Sequence, residues 1–504
     1  MQYYIVEFSK YVMAFLMGIY TLESFIALGK RRDDENTKVF VRQNVYMFLI
    51  QFLAYLSMCL QTGQIEYLFF YAFLQIALFS TIILYQMIYP KSNRLLVNNM
   101  CLLLSIGFII LTRLDYAKAM KQFFIVVISL AAALILPFFV HKLRFIKHLK
   151  WLYGLLGISA LGTVLVLGRV THGSKISYTI AGVTLQPSEF VKIIFVFFIA
   201  SLLYKAATLK EVVISAVFAA IHVLILVASK DLGSSIIFFM GYLFMILIAS
   251  RNYLYLMAGL LCGGGAAVVG YQLFSHVRVR VQAFLDPFSV IDREGYQMSQ
   301  SLFAIGSGKW FGMGLFQGTP SDIPFVESDF IFSAIAEELG GIFALCLILI
   351  CLNCFLAFLK IAMDLDDIYY RLVASGLAVM YIFQVFLTIG GGIKFIPLTG
   401  VTLPLVSYGG SSVLTTLILF SIMQGLYMLR FTEIKEQEKA RLKEEEFFEK
   451  IRIKEENAVS KKQKKIDRNA VKRQKKIDRI TQKIERRKFG KKSGVKIKDV
   501  EEDD

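Results

Sequence analysis

The chain alternates long apolar runs with short polar breaks over its first 430 residues. Thirteen runs approach the roughly 20 residues that a helix needs to cross a bilayer. Their approximate bounds are 11–29, 44–62, 66–89, 95–113, 122–141, 151–168, 189–206, 211–229, 232–250, 253–274, 330–359, 371–391 and 409–430. This pattern predicts an all-α integral membrane protein, a polytopic helical bundle joined mostly by short loops. A hydrophobic content of 56% agrees with that class.

Basic residues near the ends of the apolar runs predict how the chain crosses the membrane. The turn 141–150 carries four Lys or Arg residues and no acid, and Lys91, Arg94 and the tail after Arg430 fall on the same side if the runs alternate. Because basic loops stay in the cytoplasm, we expect the N-terminus outside and the C-terminus inside. Three basic residues fall on the outer side against this scheme: Arg113, Lys118 and Lys121.

Three stretches on the outer side are too polar to span the membrane: 169–188, 275–328 and 392–408. Irregular backbone at membrane depth is tolerated only where protein buries it or where it lines a water-filled cavity. We therefore expect the three stretches to meet at one cavity, with 275–328 forming a large external loop.

The tail, residues 431–504, differs in composition from the rest of the chain. Between 457 and 498 it has 18 Lys or Arg residues against three acids, a net charge of about +15. The sequence 461–468 recurs at 472–479, an offset of 11 residues that is close to three helical turns. We expect a solvated helix or a disordered arm. Anionic membrane lipids are one partner for such a tail, a merely solvated tail is the alternative, and nucleic acid is disfavoured because no aromatic residues are interleaved for stacking.

Residues 186–192 place a carboxylate and a cation at the outer end of an apolar run. Pro187 suits the first turn of a helix, and Ser188 and Glu189 are consistent with helix capping. Capping does not explain Lys192, whose full charge lies one turn deeper. The pair Lys230–Asp231 lies between two runs, where an ion pair with a helix cap and a ligand contact both remain open.

Asp329 is the strongest candidate for chemistry. It precedes the apolar run that starts at Phe330, so we expect it to begin a span at the outer side, two turns above Glu337 and Glu338. A carboxylate at a helix N-terminus is stabilised by the helix dipole, which makes capping an alternative. At a low-dielectric rim its pKa is also easily moved toward the range of a general base. Glu337 and Glu338 lie deeper and must pair with a cation or be protonated.

The outer face also carries six cations: Arg169, Lys175, Arg278, Arg280, Lys309 and Lys394. Hydroxyls and backbone amides in the stretch 397–412 are suited to hold anionic groups. Such a site fits a pyrophosphate or carboxylate ligand, and the lipid setting fits an amphiphilic substrate. From these residues a lipid-phosphate transferase, a lipid flippase and an anion transporter all remain open.

Several motifs occur in the order typical of one family: 186–189, 230–233, 295–297, 329–332, 337–340 and 397–412. Over about 95–430 the chain resembles the SEDS family (shape, elongation, division, sporulation), which includes FtsW, RodA and SpoVE. Members have ten spans, polymerise lipid II into glycan strands and work with a class B penicillin-binding protein. The resemblance implies a multi-pass enzyme of the bacterial plasma membrane. It further implies an extra three-span module at 1–90, a ten-span core at 91–430 and a basic cytoplasmic tail at 431–504.

The resemblance also implies roles for individual residues. Asp329 is the catalytic residue, a general base for the acceptor sugar's 4-hydroxyl while undecaprenyl pyrophosphate leaves the donor. From charge and position in the sequence, we further expect a substrate-binding set of Arg280, Lys394, Lys175, Gln186, Ser188, Glu189, Lys192, Ser407 and Ser411, and a supporting set of Asp231, Gln297, Glu337 and Glu338. Among these, the charges of Arg280, Lys394 and Lys175 are expected to steady the pyrophosphate. A divalent cation, Mg²⁺ or Mn²⁺, is an alternative for that task, although no residues are predicted as metal ligands.

Two positions depart from the family pattern. Ser177, next to Tyr178, stands where the family usually carries a Trp, and Thr388 stands where an Asn is common. A lipid II flippase remains an alternative function. The missing Trp keeps open a second alternative, a non-catalytic scaffold for the penicillin-binding protein. Neither departure touches Asp329, so we expect a peptidoglycan glycosyltransferase.

Overall fold

The computed structural model describes residues 2–29, 37–142, 147–171, 174–180, 183–205 and 208–489. The chain divides into two units, Met1–Phe431 and Thr432–Asp504. The helices are α1 (Gln2–Gly29), α2 (Thr37–Thr62), α3 (Glu66–Ile88), α4 (Arg94–Leu114), α5 (Tyr116–Lys142), α6 (Lys150–Leu167), α7 (Pro187–Leu203), α8 (Leu209–Ala228), α9 (Leu232–Ser250), α10 (Tyr253–Leu273), α11 (Ser275–Leu285), α12 (Tyr296–Gly308), α13 (Ile331–Glu338), α14 (Gly341–Met363), α15 (Ile368–Gly392) and α16 (Gly410–Phe489). The strands are β1 (Arg169–Thr171), β2 (Ser174–Ile180) and β3 (Val183–Leu185).

Twelve of the described helices are long and apolar enough to cross a membrane, which confirms the polytopic helical bundle. The remaining predicted run, 189–206, corresponds to α7, whose 17 residues rise only about 25 Å. The predicted run 330–359 is wrong in its first part, because the structure divides it into α13 and α14. Gly340 separates them with φ of 93°, a left-handed conformation that ends a helix and that glycine adopts without strain.

Helix α4 lies at the centre of the bundle. Every residue from Leu95 to Thr112 is buried, because α1, α2, α3, α5, α13 and α14 all contact α4. A helix covered on all sides can carry polar side chains only if they find partners. Asn98 and Asn99 do so by hydrogen bonding to side chains of α1, α2 and α14.

The outer polar stretches are more regular than the sequence suggests. Residues 169–185 contain a three-stranded antiparallel sheet in the order β1-β2-β3. The stretch 275–328 is not one open loop, since it holds α11, α12 and a short 3-10 turn at Pro320–Asp322. These two polar stretches therefore contain defined helices, strands and a turn, and they are not open loops.

The third polar stretch, residues 393–409, connects α15 to α16 and is called here the α15–α16 segment. Its backbone carbonyls accept hydrogen bonds from buried side chains, as Thr388 Oγ1 donates to Val401 at 3.0 Å and Gln122 Nε2 donates to Ser407 at 3.0 Å. The segment presses on α4 so closely that a Cβ at Gly107 would lie 2.6 Å from the Val406 carbonyl. Irregular backbone is therefore satisfied inside the protein, as the membrane setting requires.

Candidate functional site

A cavity of about 1200 Å³ lies between α5, α11 and the α15–α16 segment. Its lining includes six of the residues predicted from the sequence: Gln186, Asp231, Arg280, Gln297, Asp329 and Ser411. Residues from all three outer polar stretches reach it, as the sequence predicts. The apolar side chains of Phe124 and Ile128 on α5 line it as well, so the cavity has a polar part and an apolar part.

Asp329 lies in the turn before α13 and is half-buried at the cavity wall. The helix starts at Ile331, with Phe330 as the N-terminal cap residue, so the capping alternative for Asp329 is not what the structure shows. Its backbone N–H donates to the carbonyl of Phe325 at 3.1 Å. Across from it, Gly400 of the α15–α16 segment comes so near that an added Cβ would lie 3.6 Å from Asp329 Oδ2.

Arg280 extends from α11 into the same cavity. Its Nη1 donates to the carbonyls of Leu398 and Thr399, each at 3.1 Å. Burial lowers the pKa of Arg280, while the nearby charges of Asp329 and Asp231 raise it. Arginine stays protonated under any such shift. The guanidinium therefore places a permanent positive charge in the cavity that Asp329 lines, and two backbone carbonyls hold it there.

Asp231 is the N-cap of α9 and also faces the cavity. Its carboxylate accepts hydrogen bonds from the backbone N–H of Ser234 and from the hydroxyl of Ser188, both at 3.1 Å, and from Gln186 Nε2 at 3.3 Å. Burial raises the pKa of Asp231, and the hydrogen bonds from Ser234 and Ser188 oppose that shift. The cap expected at this position is thus present, and its carboxylate ties α7 to α9 at the cavity wall.

Glu189 and Lys192 form a closed cluster on α7 and do not line the cavity. Lys192 Nζ lies 2.5 Å from Glu189 Oε2 and donates to Gln384 Oε1 at 2.7 Å. The Thr415 hydroxyl donates to the same glutamate oxygen at 3.0 Å. Both charged side chains are buried. The cluster joins α7, α15 and α16, so we assign both residues a supporting role instead of the substrate contact predicted for them.

Glu337 and Glu338 are buried away from the cavity, and each has a partner. Arg113 Nε lies 2.8 Å from Glu338 Oε1, which confirms the expectation that a cation pairs with a buried acid here. Glu337 Oε1 accepts the backbone N–H of Thr319 at 3.0 Å. A similar pair joins Lys118 to Glu327 at 2.5 Å. These contacts explain why basic residues occur on the outer side against the positive-inside trend.

Some predicted site residues lie elsewhere. Lys394 does not line the cavity, and its backbone is left-handed with φ of 58°. The Ser407 hydroxyl donates to the carbonyl of Ser328 at 2.5 Å, so it fixes the α15–α16 segment rather than facing the cavity. Ser188, also outside the lining, acts through Asp231. The side chain of Lys175 is outside the described part of the chain.

The structure adds three cations to the cavity lining: Lys121, Lys230 and Arg293. Two of these have a signal in the sequence: Lys230 belongs to the Lys230–Asp231 pair, and Lys121 is a lysine on the outer side against the positive-inside rule. Arg293 lies between α11 and α12 and has no pattern around it that marks a site. Among the described residues, no group of three or more His, Cys, Asp or Glu side chains is suited to hold a metal ion.

The fold and the cavity define a polytopic membrane protein with a charged site at one side of its helical bundle. The family model FTSW_RODA_SPOVE, described as cell cycle protein, matches residues 92–430. The chain therefore belongs to the FtsW/RodA/SpoVE family.

Individual relatives agree with this assignment. The chain is 31% identical over 363 residues to the peptidoglycan glycosyltransferase RodA of Mycobacterium tuberculosis, with 66% of this chain and 77% of that protein covered. It is 32% identical over 310 residues to stage V sporulation protein E of Bacillus subtilis, with coverage of 58% and 83%.

Solved structures have the same fold. One is a chain from a peptidoglycan synthase complex described as coordinating polymerization and crosslinking. It is 25% identical, has a TM-score of 0.58, and is matched over 98% of its length by 68% of this chain. Thermus thermophilus RodA, in an Asp-to-Ala mutant form, matches with a TM-score of 0.53 at 23% identity and shows the shared fold alone.

Proposed function

We propose that this chain is a peptidoglycan glycosyltransferase that polymerises lipid II into glycan strands. The observation that carries the proposal is that Asp329 and Arg280 line the same cavity. A carboxylate can take a proton there, and a fixed cation can stabilise a departing pyrophosphate. The similarity to the peptidoglycan glycosyltransferase RodA of Mycobacterium tuberculosis supports the same reaction class.

In the proposed reaction Asp329 accepts the proton of the acceptor sugar's 4-hydroxyl. The hydroxyl oxygen attacks the anomeric carbon of the donor sugar, and the bond from that carbon to the pyrophosphate oxygen breaks. The negative charge that develops on undecaprenyl pyrophosphate is stabilised by Arg280, with Lys230 and Arg293, which also line the cavity. The proton stays on Asp329 until product leaves and solvent takes it.

The apolar part of the cavity fits a lipid-linked donor. Phe124 and Ile128 on α5 line the cavity and are 60% and 71% exposed. In a membrane, side chains this exposed on a spanning helix face lipid chains. A polyprenyl chain can therefore lie against α5 in the bilayer while its pyrophosphate reaches Arg280.

A divalent cation is the second way to stabilise the pyrophosphate. The carboxylates at the cavity are Asp231, Glu294 and Asp329, and Asp231 already accepts three hydrogen bonds. The residues fit a cation only if substrate phosphates complete its coordination, as is common for Mg²⁺. Such an ion would supply positive charge to the leaving group, and chelation by EDTA tests its contribution.

Purified protein supplied with labelled lipid II tests the function. Wild type should form glycan polymer, Asp329→Ala should form none, and Asp292→Ala should match wild type. Asp292 is a suitable control because it is an exposed aspartate of the same outer stretch that does not line the cavity. Transfer of lipid between leaflets that survives Asp329→Ala, without polymer from wild type, would instead establish a flippase. If the wild-type protein shows neither polymer formation nor lipid transfer, a non-catalytic scaffold is the remaining alternative.

A crosslinking partner follows from the same function. The matched synthase-complex chain is described with both polymerization and crosslinking, so we propose a class B penicillin-binding protein as the partner of this chain. Copurification from cells with the tagged full chain tests this, and recovery of no transpeptidase would contradict it.

The proposed orientation places the cavity and the N-terminus on the outer side. Helix α1 runs parallel to α14, because Tyr11 near its start contacts Phe311 before α14, and Leu28 near its end accepts a hydrogen bond from Lys360 near the end of α14. The N-terminus therefore lies on the side of Asp329. Lipid II polymerisation takes place outside the cytoplasm, so the tail is proposed to be cytoplasmic.

The tail is proposed to bind anionic lipid headgroups. Its exposed helical part carries the two copies of the repeat, in which Gln463 donates to Asp467 and Gln474 donates to Asp478 with the same four-residue spacing. The lysines and arginines of the repeat are exposed. Trypsin should cut the tail more slowly in bilayers rich in phosphatidylglycerol than in phosphatidylcholine, and equal rates would contradict lipid binding.

A further inference from the structure

Residues 1–90 lie outside the part of the chain that matches the family, which begins at residue 92. They form α1, α2 and α3, here called the N-terminal module. The match to the synthase-complex chain covers 98% of that chain but only 68% of this one. The common reaction of the family therefore gives no role to the module.

The module is held against α4 and α14 in one register. Asn99 of α4 accepts a hydrogen bond from the Tyr20 hydroxyl at 3.1 Å and donates to Asn353 of α14 at 2.9 Å. Gln43 of α2 donates to Ser24 of α1 at 2.9 Å. Because these groups are buried among apolar residues, sliding α1 along its neighbours would break the hydrogen bonds of Tyr20 and Ser24.

The outer end of the module contacts residues 309–330, here called the Asp329 segment. The ring of Tyr11 on α1 lies 5.1 Å from the ring of Phe311, and the ring of Tyr67 on α3 lies 6.4 Å from that of Phe316. The guanidinium carbon of Arg113 on α4 lies 4.3 Å from the centre of the same Phe316 ring. Phe316 thus contacts both the module and α4.

The Asp329 segment depends on such external contacts for its shape. Within it the structure describes only a single 3-10 turn of regular structure, at Pro320–Asp322. Backbone N–H groups of Met313 and Gly314 donate to the carbonyls of Glu337 and Glu338 at 2.8 and 2.9 Å. These bonds attach the inner side of the segment to α13, and the module supports its outer side.

We propose that the N-terminal module positions Asp329 for glycosyl transfer. Tyr11 and Tyr67 hold the Asp329 segment against α4 and α13, and this contact sets the distance from Asp329 to Arg280 across the cavity. Tyr11 and Tyr67 are positioning residues, since neither lines the cavity. This inference rests on the proposed glycosyltransferase function.

The test compares Tyr67→Leu with Tyr67→Phe and Phe69→Leu in the full-length protein. Phe69 lies on the same helix but is 65% exposed, so its replacement is a matched control. Tyr67→Leu should lower kcat for lipid II polymerisation about tenfold, with KM changed less than twofold, because misplaced catalytic groups slow the chemical step more than binding. Tyr67→Phe keeps the ring and should restore the wild-type rate.

Hydrogen exchange supplies the readout that separates positioning from general destabilisation. Backbone amides of 311–318 should exchange faster in Tyr67→Leu, while those of α15 should keep wild-type protection. If Tyr67→Leu loses protection throughout the molecule, Tyr11→Leu replaces it, with the 66% exposed Phe15→Leu as its control. Equal kcat in the tyrosine variants and their controls would overturn the proposal while wild-type polymerisation still stands. Lack of polymer from wild type would instead overturn the underlying function.

Discussion

Two pairs of opposite charge in this protein differ in what surrounds them. Glu189 and Lys192 are 2.5 Å apart, buried, and closed off by Gln384 and Thr415. Asp329 and Arg280 line the same large cavity, where Arg280 donates to two backbone carbonyls.

The difference indicates which pair acts on substrate. In a closed pair the two side chains neutralise each other and join helices. In a pair at a cavity wall the charges remain accessible to a ligand. All four residues are site candidates in the sequence, and nothing local distinguishes the two cases. The comparison predicts that changes in the closed pair reduce folding stability and that changes in the cavity pair reduce catalysis.

The largest effect on stability is expected from Lys192→Met. The change leaves the Glu189 carboxylate buried without its cation, which costs about 3–5 kcal/mol. Thermal unfolding in detergent, followed by dye labelling of the buried cysteines Cys351 and Cys354, measures the loss. The double variant Glu189→Gln with Lys192→Met removes both charges and should recover more than half of it. No recovery in the double variant would contradict a closed pair.

Arg280→Gln is expected to lower the polymerisation rate about 10²-fold with little change in unfolding temperature. The glutamine is polar but uncharged, so it brings no positive charge to the leaving pyrophosphate. Arg278→Gln is the matched control, since that residue lies on the same helix and does not line the cavity. Equal losses in both variants would show that general surface charge, and not the cavity pair, matters.

Gly107→Ala is expected to destabilise the fold by about 1–3 kcal/mol. The added methyl group would lie 2.6 Å from the Val406 carbonyl, so the α15–α16 segment that holds Arg280 would have to shift. Gly162→Ala, at a helical site with nothing within 4 Å, should be neutral or slightly stabilising. Equal unfolding temperatures for the two variants would contradict the close contact.

The smallest effect is expected at Thr388. Its hydroxyl donates to Val401, and Thr388→Val should cost about 1 kcal/mol by leaving that carbonyl without this donor. Thr388→Asn introduces the residue common in the family and keeps a donor, so it should lose less. A larger loss in the asparagine variant, seen in the same unfolding assay, would show that this position is not a hydrogen-bond donor site.

The sequence predicts the helical bundle, because spans depend on local signals, and it names six of the residues that line the cavity. Runs of apolar residues predict the spans. Charged residues next to those runs, such as Asp329 and Arg280, mark the candidate site. The sequence does not predict the helix break at Gly340, since apolar character continues across it. The sequence also places Lys394 at the site, but Lys394 does not line the cavity. Its backbone is irregular, with φ of 58°, and the sequence pattern does not show where a side chain on such backbone points.

Contacts between distant residues are a second limit. Arg113 and Glu338 are 225 positions apart, and nothing local marks them as partners. The same holds for Tyr67 and Phe316, whose contact joins the N-terminal module to the Asp329 segment. A single sequence shows that Glu338 needs a cation but does not show which one supplies it.

The central claim is that the Asp329 carboxylate takes a proton in the reaction, and Asp329→Asn tests it most directly. Asparagine keeps the size of the side chain but is not a base. Affinity for labelled lipid II and the rate of polymer formation should be measured on the same preparation. We predict a dissociation constant within about twofold of wild type and a rate lower by at least about 10³-fold. Polymer formation near the wild-type rate, or a rate loss fully explained by weaker binding, would contradict the account.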